Sequence, residues 1–337
     1  MNAATRTYAV VDSGTTSTRL RVWQGDRVIW SESRAAGAKD TAVEGSTAKV
    51  EAALRELLAA AKSATGATPE AIICSGMITS NMGLFELPHL PAPAGPDDIT
   101  RGMVQREFPA ISDVPLTFVP GVKTLPGTGA GQGRAVGTLE GLATGDVLRG
   151  EEAEIVGLRG ALGLDSAALF LHIGSHHKAI EVDAEGRILA SRTAITGELL
   201  AAVTGNTILK SSIVAVDGLE LDLEAARSGF TAARDHGFGR ALFLVRVGEQ
   251  LGRQSRETMT SYLLGVLASL DVPLLAGAPR DTPVIVYGVG EFPRILGALL
   301  PREGFSAVQV VPLATADTAA AAGAVRLFEA TSGSGRD

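Results

Sequence analysis

The 337-residue chain has a single cysteine, Cys74, so no internal disulfide framework can brace it, which fits a reducing compartment. Aromatic residues make up only 4% and form no stacking motif, and no dense run of Lys or Arg occurs. With a formal net charge of −7, these absences exclude nucleic acid as the main partner, because phosphate backbones need basic stripes. No apolar run approaches the length that crosses a bilayer, and Met1 to Thr7 lacks the apolar stretch of a secretory signal. The expectation is a soluble cytoplasmic globular protein without membrane partners. Hydrophobic residues at 45% supply ample core, and the length suits two domains.

What is present is a repeating pattern. Tyr8 to Val11 form an apolar run ending at Asp12, followed by the small-residue loop Ser13-Gly14-Thr15-Thr16. Arg19 to Trp23 alternate with period two, and a third strand starts at Val28 after a turn at Gln24-Gly25-Asp26. Much later the pattern returns: Ala168 to Ile173, the loop Gly174-Ser175-His176-His177, Lys178 to Val182, a turn at Asp183 to Gly186, and Arg187 to Thr193. Gly174 falls 160 residues after Gly14, with Ser175 over Thr15. A repeat of half the chain predicts two related α/β domains facing each other, each offering a hairpin loop to a shared cleft.

Between the two hairpins, Val50, Ala53, Leu54, Leu57, Leu58 and Ala61 share one helix face, with Ser46 or Thr47 as cap and Gly66 just beyond. Ala71 to Cys74 and Leu116 to Val119 read as strands, and Glu151 to Leu162 as a helix. Leu87 to Asp98, with four prolines, reads as irregular, and Gly127 to Gly133 as a flexible loop. The second half continues with a strand at Val284 to Tyr287, a helix at Phe292 to Leu300 and a strand at Val308 to Val311. A terminal Ala-rich helix, Asp317 to Ala330, is expected to close the second domain. The proposed division is 1–160, 161–330 and a disordered tail, 331–337.

Chemistry attaches to the paired loops. A glycine with two hydroxyls lets backbone N–H groups approach a phosphate closely, and an Asp at the strand end suits hydrated Mg²⁺. One such loop is more often an ordinary turn; two matched ones reverse those odds. Glu151 and Glu152 open a helix, where carboxylates are favourable with the dipole alone; Glu151 is also placed to take a proton from a hydroxyl nucleophile. Arg19 and Arg21 share a strand face beside the first loop, for a carboxylate or for solvent. Gly76, Met77 and Cys74 read as strand-end packing, and His172 as a core histidine. His176 and His177 are adjacent on extended chain and make a poor joint metal site. No G-x-x-x-x-G-K-[ST] loop occurs, and Gly288-Val289-Gly290 lacks the third glycine of a dinucleotide fingerprint.

Several segments, in order along nearly the whole chain, resemble the 2-dehydro-3-deoxygalactonokinases: Val10 to Arg19, Ser75 to Asn81, Leu87-Pro88-His89-Leu90-Pro91, Asp146 to Glu152, Gly174 to Lys178, Thr196-Gly197-Glu198-Leu199, Leu242 to Arg246 and Ser261 to Gly265. The resemblance implies a duplicated actin-like (ribonuclease H-like) ATPase fold and transfer of the ATP γ-phosphoryl group to the 6-hydroxyl of 2-dehydro-3-deoxygalactonate. It makes Asp12 the Mg²⁺-associated carboxylate, with Gly14, Thr15 and Thr16 at the phosphates. Gly174, Ser175 and His176 become the second phosphate loop, and Gly288 faces the adenosine. Glu151, with Glu152 next, is the base; Arg19, Gly76, Met77 and Arg149 meet the sugar acid. ATP and Mg²⁺ are the implied cofactors, and a homodimer is the candidate assembly.

The chain departs from the family pattern at Ser13 and Ala179, where the family has Trp, and at Thr79, where it has Gly. Two other readings stand beside the kinase. An exopolyphosphatase-like hydrolase shares the fold and a Glu-Glu-Ala helix start, but its second loop carries Ser-Thr-Glu. A non-catalytic ATP-binding sensor is the other.

Overall fold

The run Tyr8 to Val11 lies within β1 (Thr7–Ser13), and the alternating stretch after it forms β2 (Thr18–Gln24). The two pair antiparallel with Asp12 opposite Arg19, and β3 (Arg27–Arg34) completes the meander. The computed structural model that shows this describes residues 6–126 and 138–333. The loop read at Gly127 to Gly133 lies outside the described residues.

Two helices follow, α1 (Ala38–Glu44) and α2 (Ala48–Thr65). α2 buries Val50, Ala53, Leu54, Leu57 and Ala61, the face read from the 3.6-residue spacing, and Gly66 ends it in the left-handed conformation. Ser46 Oγ accepts from the Ala48 N–H at 3.2 Å, while Thr47 turns its hydroxyl to Glu51 at 2.8 Å. β4 (Ala71–Gly76) is buried along its length and parallel to β1. The proline-rich stretch holds more order than expected: β5 (Leu90–Pro91), then α3 (Pro96–Gly102) starting on Pro96, where a missing N–H is tolerated. β6 (Val104–Phe108), β7 (Ser112–Phe118), β8 (Val122–Thr124), α4 (Leu139–Leu142) and β9 (Asp146–Leu148) lead to α5 (Glu151–Leu162), with the bounds expected.

The second pattern gives β10 (Ala168–Ile173), β11 (His177–Val182) and β12 (Ile188–Ala194). After them come α6 (Thr196–Asn206), α7 (Leu223–His236), α8 (Phe238–Gln250) and α9 (Arg256–Ala268). β13 (Val284–Gly288), α10 (Phe292–Leu299), β14 (Val308–Val310) and α11 (Leu313–Gly333) end the described chain. By contacts, residues 1–166, 183–190 and 314–337 form one unit, and residues 167–182 and 191–313 the other.

The duplication shows in the sheets. The first runs β3-β2-β1-β4-β7-β6 and the second β12-β11-β10-β13-β14, so five strands repeat in the same order. β4 is parallel to β1 as β13 is to β10. Each ends on a glycine at positive φ, Gly76 at 81° and Gly288 at 137°. A Cβ on Gly76 would stand 2.4 Å from the Ser13 carbonyl oxygen, and one on Gly288 would stand 2.1 Å from that of Ile173. Only glycine fits either place. The repeat therefore extends past the hairpins to the strand beside each of them.

The second core gathers around α9, whose residues Met259 to Ala268 are all buried. The stretch Arg256–Leu275 is long and apolar enough by composition to cross a membrane, but 72% of its apolar window is buried inside the protein. That amount of burial is the mark of a core helix, and it replaces the reading that no such run occurs.

α11 differs from expectation twice. It runs from Leu313 to Gly333, through part of the tail read as disordered; residues 334–337 lie outside the described residues. It also belongs to the first unit, not the second. Ala321, Ala324, Val325 and Leu327 share a core with Tyr8, Val10, Ile73 and Ala153, and Tyr8 Oη donates to Glu329 at 3.0 Å. Periodicity finds a helix but not the surface that it covers. α11 meets α5 through glycines: a Cβ on Gly157 would stand 2.0 Å from the Ala319 carbonyl oxygen, and one on Gly323 would stand 1.8 Å from that of Ala153. Backbone is in contact with backbone, and neither side can yield.

Gly157→Val is therefore expected to push α11 off α5 and to destabilise the protein by about 3 kcal/mol or more, the upper range for overpacking. Thermal unfolding measures this, with Gly239→Ala on α8 as a control for mere loss of a glycine, since a Cβ at Gly239 meets nothing. Equal melting temperatures for Gly157→Val and the parent would refute the close packing.

Candidate functional site

The ends of β1 and β4 and the start of α5 converge in the first unit. Asp12 stands at the end of β1, half-buried. A Cβ on Gly76 would lie 3.2 Å from its Oδ1, and one on Gly150 would lie 3.4 Å from the Gly76 Cα. The lack of side chains at Gly76 and Gly150 is what lets the start of α5 approach Asp12. Burial, then Glu154 and Glu151, push the Asp12 carboxyl up to about 6, against the pull of Arg21 and Arg19. Glu154 was not singled out from the sequence, although it lies one turn from Glu151 on α5.

Glu151 and Glu152 both fold back on the start of their own helix. Glu151 Oε2 accepts from the Arg149 N–H at 3.0 Å, and both Glu152 oxygens lie 2.9 Å from the Gly150 N–H. Those bonds satisfy donors that the first turn leaves open. The two carboxyls differ in access: Glu151 is 7% exposed and Glu152 is 0%. Burial above all, with Glu151 beside it, pushes Glu152 up to about 8, although the Gly150 N–H pulls the other way.

The Arg149 guanidinium is taken up by protein acceptors. Nη1 donates to the Thr79 carbonyl oxygen at 2.6 Å and to the Thr79 hydroxyl, and Nη2 to the Leu87 carbonyl oxygen at 2.9 Å. Nη2 also meets His89 Nδ1 at 3.1 Å. Burial, Arg149 and Lys123 lower His89 to about 4, so the ring is neutral and Nδ1 accepts. Arg149 thus pins the loop after β4 to the start of α5. Met77, half-buried, begins the turn after Gly76. Cys74 is fully buried, and burial pushes its thiol up, so it is no nucleophile.

In the first loop, the Gly14 N–H closes the turn on the Ser17 carbonyl at 2.8 Å, and the Ser13 and Thr18 hydroxyls lie 2.9 Å apart. Ala38 and Lys39 N–H groups take the Gly14 and Thr15 carbonyls at 3.2 and 2.8 Å. With its carbonyls held from behind, the turn leaves Gly14 and Thr16 exposed and Thr15 half-buried. Arg19 and Arg21 do share a face, but both reach Asp317 on α11, at 2.8 and 3.0 Å. The sequence gives no sign of that partner, about 300 residues away.

The second unit carries the matching loop between β10 and β11. Ser175 is exposed, and its carbonyl accepts from the Glu198 N–H at 3.1 Å. His176 Nε2 lies 2.8 Å from Glu198 Oε1. Gly288 lies beside Ile173, at the foot of the same loop. His172 rests edge-on against Tyr287, ring centres 5.2 Å apart. A cavity of about 510 Å³ opens beside α6, lined by Gly197, Leu200, Thr204, Lys210, Val214 and Asp217.

Glu152 yields a test of sign. Its folded value, about 8, lies above the ordinary 4.5. Between those values the native state holds a proton that the unfolded chain releases, so stability falls as pH rises through that window. Glu152→Gln is expected to flatten the fall, raising stability at pH 9 relative to the parent by on the order of a few kcal/mol. Denaturant unfolding at pH 5, 7 and 9 measures it; parallel curves for the two proteins would contradict the burial argument.

A family model described as 2-keto-3-deoxy-galactonokinase matches residues 12–327. A probable 2-dehydro-3-deoxygalactonokinase of Rhizobium meliloti (strain 1021) is 28% identical over 305 residues, 89% of this chain and 90% of the relative. The 2-dehydro-3-deoxygalactonokinase of Escherichia coli (strain K12) is 27% identical over 273 residues, 80% of each. A crystal structure from Sinorhizobium meliloti, of a protein named for the same activity, superposes with a TM-score of 0.73 at 25% identity, covering 96% of this chain and 98% of that one. Component A of the (R)-2-hydroxyglutaryl-CoA dehydratase of Acidaminococcus fermentans superposes with a TM-score of 0.54 at 13% identity, covering 97% and 99%, a likeness of fold alone. The duplicated sheets, the paired hairpin loops and the match along nearly the full length agree: the chain belongs to the 2-keto-3-deoxy-galactonokinase family.

Proposed function

We propose that the protein transfers the γ-phosphoryl group of ATP to the 6-hydroxyl of 2-dehydro-3-deoxygalactonate or a close analogue, with Glu151 as the base. The observation that carries the assignment of the base is the difference between the two carboxyls at the start of α5. Glu152 is sealed, at 0% exposure, with both oxygens on the Gly150 N–H. Glu151 keeps some access and lies close enough to Asp12 to raise its carboxyl. A base must touch the hydroxyl from which it takes a proton.

Asp12 suits a divalent cation, since burial and two neighbouring carboxyls raise it and a cation would offset that cost. Among the described residues no three ligating side chains cluster. One carboxylate fits Mg²⁺, which keeps several waters and takes other oxygens from phosphates. Bound there, the ion would neutralise charge on the transferred group. Gly14, Thr15 and Thr16 offer an open turn to a phosphate, and Gly174, Ser175 and His176 offer a second. The cavity beside α6, together with Gly288, is the nucleoside site in this reading. Arg19 lies across from Asp12 and uses one N–H on Asp317, leaving donors for a substrate carboxylate. Arg149 is a positioning residue here, because its terminal nitrogens already have acceptors in the protein. The phosphohydrolase and sensor readings gain no such support, since the family description and both curated relatives name a kinase.

A coupled ADP-release screen over 2-keto-3-deoxy sugar acids identifies the acceptor. On it, Glu151→Gln is expected to lower kcat by ~10²–10⁴-fold with ATP binding retained. Phosphate release from polyphosphate without any sugar acid, with no ADP release on any acid, would overturn the kinase in favour of the hydrolase.

A further inference from the structure

His177, the last residue of the second loop, has a role that the phosphate contacts leave unassigned. It is 1% exposed, and its Nδ1 lies 2.8 Å from Oδ2 of Asp271, which is 0% exposed. The other oxygen of that carboxyl accepts from the Thr196 hydroxyl at 2.7 Å, and Thr196 is 0% exposed. One buried carboxyl thus joins the end of the loop to the first residue of α6. Asp271 fixes Nδ1 as the donor, and Phe292 lies edge-on to the ring, centres 5.0 Å apart.

The same two segments also meet through their backbones. A Cβ on Gly197 would stand 2.2 Å from the Gly174 carbonyl oxygen and 2.8 Å from that of Ser175. The Glu198 N–H donates to the Ser175 carbonyl at 3.1 Å. The loop therefore lies flat on the start of α6, gripped at Ser175 from α6 and at His177 from below. Asp271 is itself anchored: its N–H donates to the Ala268 carbonyl at 3.1 Å, at the end of the buried stretch Met259 to Ala268 of α9. The chain of bonds thus refers the position of the loop to the most buried helix of the second unit.

Packing alone does not account for the imidazole. Among the described residues its Nε2 is buried with no hydrogen-bond partner. Burying a polar atom unmatched is unfavourable, and an aliphatic side chain would fill the space without that defect. What the imidazole adds is the Nδ1–H donor to Asp271.

We propose that His177, through Asp271 and Thr196, is the positioning residue of the second loop, holding Gly174, Ser175 and His176 in the shape that receives the polyphosphate of a nucleotide. The inference rests on the reading of that loop as a nucleotide phosphate site. Preorganised loops gain affinity because less order remains to be imposed on binding. The effect therefore falls on nucleotide binding and leaves the sugar acid untouched.

The test compares the parent with His177→Leu, His177→Asn and Thr196→Val, each first shown to be folded by circular dichroism. Asn keeps an N–H close to where Nδ1 stands; Leu keeps bulk without a donor. Binding of a fluorescent ADP analogue and steady-state KM values for ATP and for the sugar acid are measured separately. His177→Leu is expected to raise the ADP Kd and the ATP KM about tenfold, with the KM for the sugar acid changed less than twofold. Thr196→Val should shift them in the same direction and less, and His177→Asn should recover most of the loss. Unchanged nucleotide affinity in folded His177→Leu would overturn the proposal. So would equal damage to both KM values without rescue by Asn, which is the mark of a merely structural residue. The binding arm separates the two readings: if the parent binds ADP but phosphorylates no acid, the kinase assignment fails while the role of His177 is still decided. If the parent binds no nucleotide, the phosphate-loop reading and this proposal both fall.

Discussion

Carboxyl groups held out of water at the start of α5 set the terms for the first unit. Glu152 has no exposure, Glu151 almost none, and Asp12 is pushed up by both burial and its acidic neighbours. Such a cluster is unfavourable unless donors surround it. The backbone N–H groups of Arg149 and Gly150 supply them, which requires the chain to enter the helix along one path. That path is fixed by Arg149, whose side chain reaches back to Thr79, Leu87 and His89. The approach of α5 to β4 is allowed by the bare backbones of Gly76 and Gly150. The loop after β4, the helix start and the acidic site are thus one mechanical piece.

The second unit solves a similar problem by another route. The one acidic residue in the first turn of α6, Glu198, stays partly exposed and meets His176, while the loop is shaped from behind by a buried carboxyl that touches both a histidine and a threonine. Placing one phosphate-loop candidate on a neutral hairpin backed by α1, and the other on a hairpin backed by α6, gives each an independent support. The shared strand order does not extend to shared polar chemistry.

Strands and loops were the legible part of the sequence. The period-two stretch Arg19 to Trp23, the apolar runs at β1, β4, β10 and β13, and the helix face of α2 all follow from local spacing. The bounds of α5 were legible because its opening glutamates and the spacing of Ile155, Leu158 and Leu162 are local signals. The short α1 and α3 were missed, having few apolar residues each. Asp12, Gly76 and the two glutamates stood out by position at element ends. Asp317 and Asp271 did not, and Thr79 and Thr196 stood out only as parts of family-like segments, because their partners lie far along the chain and only tertiary packing brings them together. The same holds for the residues that depart from the family pattern. Ser13 is buried and shares a hydroxyl contact with Thr18, Thr79 meets Arg149, and Ala179 is 1% exposed in the second core. A tryptophan at either Ser13 or Ala179 would need different neighbours, so these are repacked sites and not simple truncations.

The place of α11 in the chain has a consequence for biogenesis. Its Ala319 backbone closes on Gly157 of α5, yet more than 150 residues, the whole second unit among them, are made between the two. At ribosomal speeds of about 5–20 residues per second, that interval lasts on the order of ten seconds or more. During it Tyr8, Val10 and Ile73 wait without the helix that covers them. The unit that is translated first is therefore finished last, and the nascent chain carries an uncovered apolar sheet face that chaperones would meet before any substrate does.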